Sequence, residues 1–176
     1  MREINRDQFL QLLERAPIKP KFYKDVRFMS LPPEGWHESE FVVAPDRTEV
    51  KGIFLTQIDN KFFATPYELM RRVADKQTGR SKPITCDLCL TWQAGSNAGR
   101  ITFVRQNDGH SFTFLCCADL ACSKHIRDKT PASALSRSQI REDLTPEQRI
   151  ERLKNRLSKL VYDLRTHPIN DSDVAS

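Results

Sequence analysis

Cys86-Asp87-Leu88-Cys89 and Cys117-Ala118-Asp119-Leu120-Ala121-Cys122 are the stretches whose reading decides the fold. The first is a Cys-x2-Cys knuckle, a spacing that lets both sulfurs turn toward one point, as a tetrahedral ion requires. Residues 100–105 and 111–116 follow as strands, joined by a turn at Asn107-Asp108-Gly109. Cys117 closes the second strand. Asp119 has the side chain of a helix N-cap, so a helix is predicted from Leu120, with Cys122 in its first turn and Lys124, Ile126 and Arg127 beyond. A knuckle, a hairpin and a helix start that returns two more thiols is the chain order of a treble-clef zinc finger. The positive end of a helix dipole and its free N–H groups favour thiolate charge there. One structural zinc ion on Cys86, Cys89, Cys117 and Cys122 is the expectation.

Two neighbours compete within this set. Cys117 gives a Cys-x4-Cys spacing to Cys122 and is the expected ligand. Cys116 would share the strand face of Phe112 and Phe114, which is expected to be core, and it reads as a small buried hydrophobe. His125 is the rival ligand, and otherwise a surface histidine. The bland alternative to the whole reading is a set of thiols that happen to cluster in a core.

The chain has 176 residues, 39% hydrophobic, 9% aromatic and 29% charged. That suffices for one ordinary domain with an appendage. Mean hydropathy is -0.56, and no apolar run is long enough to span a bilayer. The first residues mix charges with leucines and form no signal-peptide core, so a cytoplasmic protein is expected. An odd count of five cysteines, all between Cys86 and Cys122, argues against a secreted disulfide framework and for a metal. A formal charge of +5 fits either a solvated basic surface or an acidic or nucleic-acid partner. Four cysteines fill a zinc shell and leave no position for a reactive water. There is no His-Glu-x-x-His motif and no phosphate-binding glycine loop. Cys116 with His110 or His125 remains a conceivable nucleophile pair at no diagnostic spacing, and the chain reads as a non-enzyme with no small-molecule substrate.

The flanking sequence predicts an α+β fold: the finger, an antiparallel sheet and flanking helices. Asn5 and Gln8 make a capping box for a helix over 6–16, with Phe9, Leu12, Leu13 and Ala16 as its apolar stripe. Phe41-Val42-Val43, Ile53-Phe54-Leu55 and Phe62-Phe63-Ala64 read as strands, the last two joined at Asp59-Asn60-Lys61. Thr65-Pro66-Tyr67-Glu68 reads as a short helix start, with Tyr67, Met70 and Val73 inward. Arg71, Arg72, Lys76, Arg80 and Lys82 are expected outside, and 76–83 as loop. The stretch 130–143 is polar and serine-rich. Thr145-Pro146-Glu147-Gln148 then opens an amphipathic helix with Ile150, Leu153, Leu157, Leu160, Val161 and Leu164 on one side. That stripe covers either its own domain, a partner's groove or a second copy. The expected organisation is a domain over 1–143 with the finger core at about 84–129, a C-terminal helix over 144–167 and a flexible tail over 168–176.

Trp36 followed by Phe41-Val42-Val43, then Cys86-Asp87-Leu88-Cys89, then the Cys-x-Asp-x-x-Cys form of the second pair, resembles the C-terminal treble-clef zinc-finger domain of the elongation factor G-binding proteins. That family includes the fusidic acid resistance proteins. The likeness covers residues 20–165 and is sharpest over 86–127. It implies that the four cysteines hold zinc and that the domain grips elongation factor G and helps it leave the ribosome. Resistance-conferring members carry an N-terminal helical bundle; here only 6–16 is available for helix before the strands, so the chain reads as the zinc domain alone. Family aromatics around the finger touch the factor, and Trp92 stands at a matching place, though a packing tryptophan fits there equally well. Arg100, Arg105 and Lys124 are the other candidate contacts. A nucleic-acid reading, with ribosomal RNA as partner, would use Arg71, Arg72, Arg80, Lys82, Arg100, Arg105 and Lys124.

Overall fold

Asn5 caps the first helix, α1 (Arg6–Arg15), as its side chain predicts. The Gln8 N–H donates to Asn5 Oδ1 at 2.8 Å, and the Asn5 N–H donates to Gln8 Oε1 at 3.0 Å. The computed structural model describes residues 1–75, 77–105 and 108–169. Lys76, Asn107 and residues 170–176, expected as loop cation, turn and tail, lie outside the described residues. The chain divides into two compact units. Unit 1 holds Met1–Glu68, Phe103–Phe112 and the chain from Leu157; unit 2 holds Leu69–Thr102 and Thr113–Arg156.

In unit 1, α1 buries Phe9, Leu12 and Leu13 in a core with Ile53, Leu55, Phe62 and Trp36, the last from the short helix α2 (Pro33–His37). Burying each such side chain contributes about 1.5–3 kcal/mol. The strands β1 (Phe41–Pro45), β2 (Lys51–Ile58) and β3 (Lys61–Met70) pair antiparallel, with Phe41 opposite Thr56 and Ile53 opposite Pro66. Asp59 and Asn60 join β2 to β3 with φ of 49° and 61°. Positive φ at both central positions matches the right-handed twist of the paired strands.

The expected helix at Thr65 does not form; β3 runs on to Met70. Tyr67 and Leu69 are buried while Glu68 and Met70 are exposed, a period of two. The local helix-start signal at Thr65-Pro66-x-Glu68 loses to the ladder. Phe62-Phe63-Ala64 is already paired with β2, and each further residue adds to that ladder without the cost of nucleating a helix.

The strands β4 (Ile84–Thr85) and β5 (Trp92–Gln93) form a small antiparallel ribbon, while β6 (Ala98–Val104) and β7 (Ser111–Cys117) complete a sheet of order β1-β2-β3-β6-β7. In unit 1, Phe54 stacks on Phe41 and meets the edge of Phe103. Three helices follow: α3 (Cys122–His125), α4 (Pro131–Ile140) and α5 (Pro146–Asp163). The capping box that opens α5 forms as predicted. Its stripe turns inward at Leu153, Leu157, Leu160, Val161 and Leu164, with Ile150 only half-buried. Helix α4 occupies the stretch read only as polar and serine-rich. Thr130 caps it and Pro131 takes its first position, a start signal that was legible but dimmed by the weak apolar pattern of Ser-Ala-Leu-Ser. Ile169 is buried and pairs with Phe62. Among the described residues, no helix is long and apolar enough to cross a membrane.

Candidate metal centre

The knuckle is shaped by its own backbone. The Leu90 N–H donates to Cys86 O and the Cys86 N–H to Thr91 O, both at 2.9 Å, with Leu90 at φ 60°. Asp87 fastens this turn to β7: its N–H donates to Leu115 O at 2.8 Å, and its Oδ2 accepts from the Leu115 N–H at 2.7 Å. The second pair hangs on the end of β7. Leu120 takes φ 53°, and the Ala121 N–H donates to Asp119 Oδ1 at 3.0 Å. The predicted helix start is therefore two positions too early. Asp119 turns the loop rather than capping a helix, and Cys122 itself is the first residue of α3.

This geometry gathers four thiols. Cys86 Sγ lies 3.8 Å from Cys122 Sγ, Cys89 Sγ 3.6 Å from Cys117 Sγ, and Cys122 Sγ 3.8 Å from Cys117 Sγ. Zinc–sulfur bonds near 2.3 Å in a tetrahedron require sulfur–sulfur edges of about 3.8 Å. A disulfide would need about 2.05 Å, and all five cysteines are free. All four sulfurs are buried. Burial opposes ionisation of Cys86, but hydrogen bonds from the Cys117, Cys122 and Cys89 thiols outweigh it and hold its pKa well below the usual value. Cys122 is pushed well above it, by its hydrogen bonds with Cys117, Cys86 and Cys89 and by burial. One thiolate is thus stabilised by its neighbours, and further ones are opposed. A buried divalent cation resolves that conflict by neutralising several thiolates together. The donor set, spacing and burial fit one structural zinc ion, which closes the loop between knuckle and helix.

Cys116 stands outside the cluster. It is fully buried, with its sulfur over Gly99, where an added Cβ would come within 3.3 Å of it. Burial pushes its thiol pKa up. Phe112 and Phe114, expected as core, are only half-buried. His125 is neither surface residue nor rival ligand. It is 1% exposed, with Nδ1 2.7 Å from Thr130 Oγ1 and Nε2 3.3 Å from Asp119 Oδ1. Cys117, Asp119 and His125 also lie close together, but both histidine nitrogens are already engaged.

Sequence reading missed the arginines of α5. Arg152 Nη2 donates to Cys89 O at 3.3 Å, and Arg156 Nη1 donates to Asp87 O at 2.6 Å, so two side chains one helical turn apart hold the knuckle's carbonyls. Arg149, 2% exposed, grips Asp128 through both Nη atoms at 3.0 and 2.7 Å. The spacing of Arg149, Arg152 and Arg156 marks one helix face, but alternating charges made that face look merely solvated.

The expected partner contacts divide. Trp92 is half-buried, and its backbone N–H donates to Ser136 Oγ of α4 at 2.8 Å. Arg100 and Lys124 are exposed. Arg105 must be corrected: its side chain is 13% exposed, salt-bridged to Asp108, donating to Asp163 O and lying 4.9 Å over the Phe112 ring. It is a cross-link within unit 1 rather than a surface cation.

Fold and site together define a treble-clef zinc-finger protein. The family model for the FBP C-terminal treble-clef zinc-finger matches residues 17–164, and the chain belongs to that family. Comparison with curated proteins and with solved structures finds no match in either.

Proposed function

We propose that this protein is a cytoplasmic binding module for translation elongation factor G that promotes departure of the factor from the ribosome, as in fusidic acid resistance. The family match over residues 17–164 carries this reading. Zinc serves as scaffold: with four cysteines around it no ligand position is left for catalysis, so the finger works by the surface it holds in place. Trp92, Arg100 and Lys124, all of unit 2, are the proposed contacts. A half-buried tryptophan and an exposed arginine are the residue types that anchor interfaces. Calorimetric titration with purified elongation factor G at physiological salt tests the reading. A saturable complex is expected; absence of one overturns it.

A second reading, binding to ribosomal RNA, draws on the exposed Arg71, Arg72, Arg80, Lys82 and Arg100. It stands second because Arg72 already donates to Gly79 O and Lys82 is salt-bridged to Asp75. RNA binding with a steep salt dependence, and no complex with the factor, would reverse that order.

A further inference from the structure

Thr91 Oγ1 lies 2.9 Å from Cys89 Sγ, 2.7 Å from Gln93 Nε2 and 3.9 Å from Cys117 Sγ. Which way the hydroxyl proton points follows from the groups behind it. A backbone N–H can only donate, so the side-chain atom facing the Asp119 N–H at 3.1 Å is the Asn97 oxygen. The Asn97 nitrogen then donates to the Asp119 carboxylate at 3.1 Å and to Gln93 Oε1 at 2.8 Å. With its oxygen so engaged, Gln93 presents its nitrogen to Thr91. The hydroxyl accepts that hydrogen bond, and its own proton is left for Cys89, the nearer of the two sulfurs. Thr91 is 2% exposed and Gln93 0%, so bulk water does not compete for these positions.

We propose that Thr91, oriented by Gln93, is a tuning and positioning residue of the zinc centre. Its hydroxyl donates to the Cys89 thiolate and draws electron density from that one ligand. That hydrogen bond offsets part of the excess negative charge of four buried thiolates around one divalent ion and holds the Cys89 sulfur in place on the metal. The relay starts on the backbone of the second cysteine pair and ends on a sulfur of the first, so the two halves of the centre are matched to each other as well as to the ion. Partners beyond the ligands themselves commonly set metal affinity by about 10- to 100-fold.

The test compares Thr91→Val and Thr91→Ser with the parent in the zinc-loaded full chain. Zinc transfer to a chromophoric chelator is expected to be at least about tenfold faster for Thr91→Val and near parental for Thr91→Ser, which keeps the hydroxyl. In the cobalt-substituted proteins, the sulfur-to-cobalt charge-transfer band should move to lower energy in Thr91→Val, because the sulfur becomes more electron-rich, and stay in place in Thr91→Ser. Thr91→Ala removes the hydroxyl without placing a methyl group against sulfur, and gives the same reading should the valine variant not fold. Parental release rates and an unmoved band in the variants lacking the hydroxyl overturn the proposal. So does a serine variant that behaves like valine.

Discussion

Cys116 and Cys117 are neighbours whose side chains leave β7 on opposite faces, and strand geometry alone separates ligand from core. Cys117 faces the other three thiols, and Cys116 faces Gly99. Cys116→Val is expected to retain full zinc content, whereas Cys117→Ser should lose it; metal analysis of the two purified variants checks this. Trp92 belongs to the surface reading. Trp92→Ala should keep zinc and melting behaviour while weakening the complex with elongation factor G by tenfold or more, on the order of 1.4 kcal/mol, by calorimetry. Unfolding of that variant would instead make Trp92 a packing residue against α4. The four ligands were legible because their spacing is set by the ion. His125 was not: its burial depends on Thr130, and nothing in Cys-Ser-Lys-His discloses that partner.

Among the elements, those with complete local signals stand where the sequence predicts them. Both capping boxes form, and the Asp59-Asn60 turn closes its hairpin. Thr65-Pro66-Tyr67-Glu68 failed because a strand already paired upstream overrides a start signal four residues long. Helix α4 went unread because its burial is small: Ser133 and Ser136 are its buried residues, and they contribute hydrogen bonds rather than apolar area. Its stability should therefore rest heavily on its cap. Thr130→Ala removes both the cap to the Ser133 N–H and the contact with His125, and is expected to cost about 1–2 kcal/mol in thermal or denaturant unfolding. A change below a few tenths of a kcal/mol would show that α4 is held some other way. For α5 the apolar stripe was legible from its period. The role of its arginines was not, because their acceptors are backbone carbonyls of Asp87 and Cys89, which no side-chain pattern reveals. Arg149→Met removes two charge-assisted hydrogen bonds but leaves Asp128, 23% exposed, paired with Arg137, so it is expected to cost about 1–2 kcal/mol in denaturant unfolding.

For the molecule as a whole, all five cysteines lie in unit 2, while unit 1 has an apolar core of its own around α1, β2 and Trp36. Zinc ligation in small finger domains supplies about 10–16 kcal/mol of apparent binding free energy, which is also folding free energy. Chelation should therefore remove amide-exchange protection first over residues 84–102 and 113–129 of unit 2, before the core of α1 and β2 in unit 1. The reverse order would contradict a scaffold role for the ion. The claim on which finger, surface and partner all depend is that the four thiols hold zinc. Elemental analysis of protein purified without added metal tests it most directly. About one zinc per chain is the expected result. Less than about half an equivalent, in protein whose five thiols titrate as fully reduced, would contradict the account.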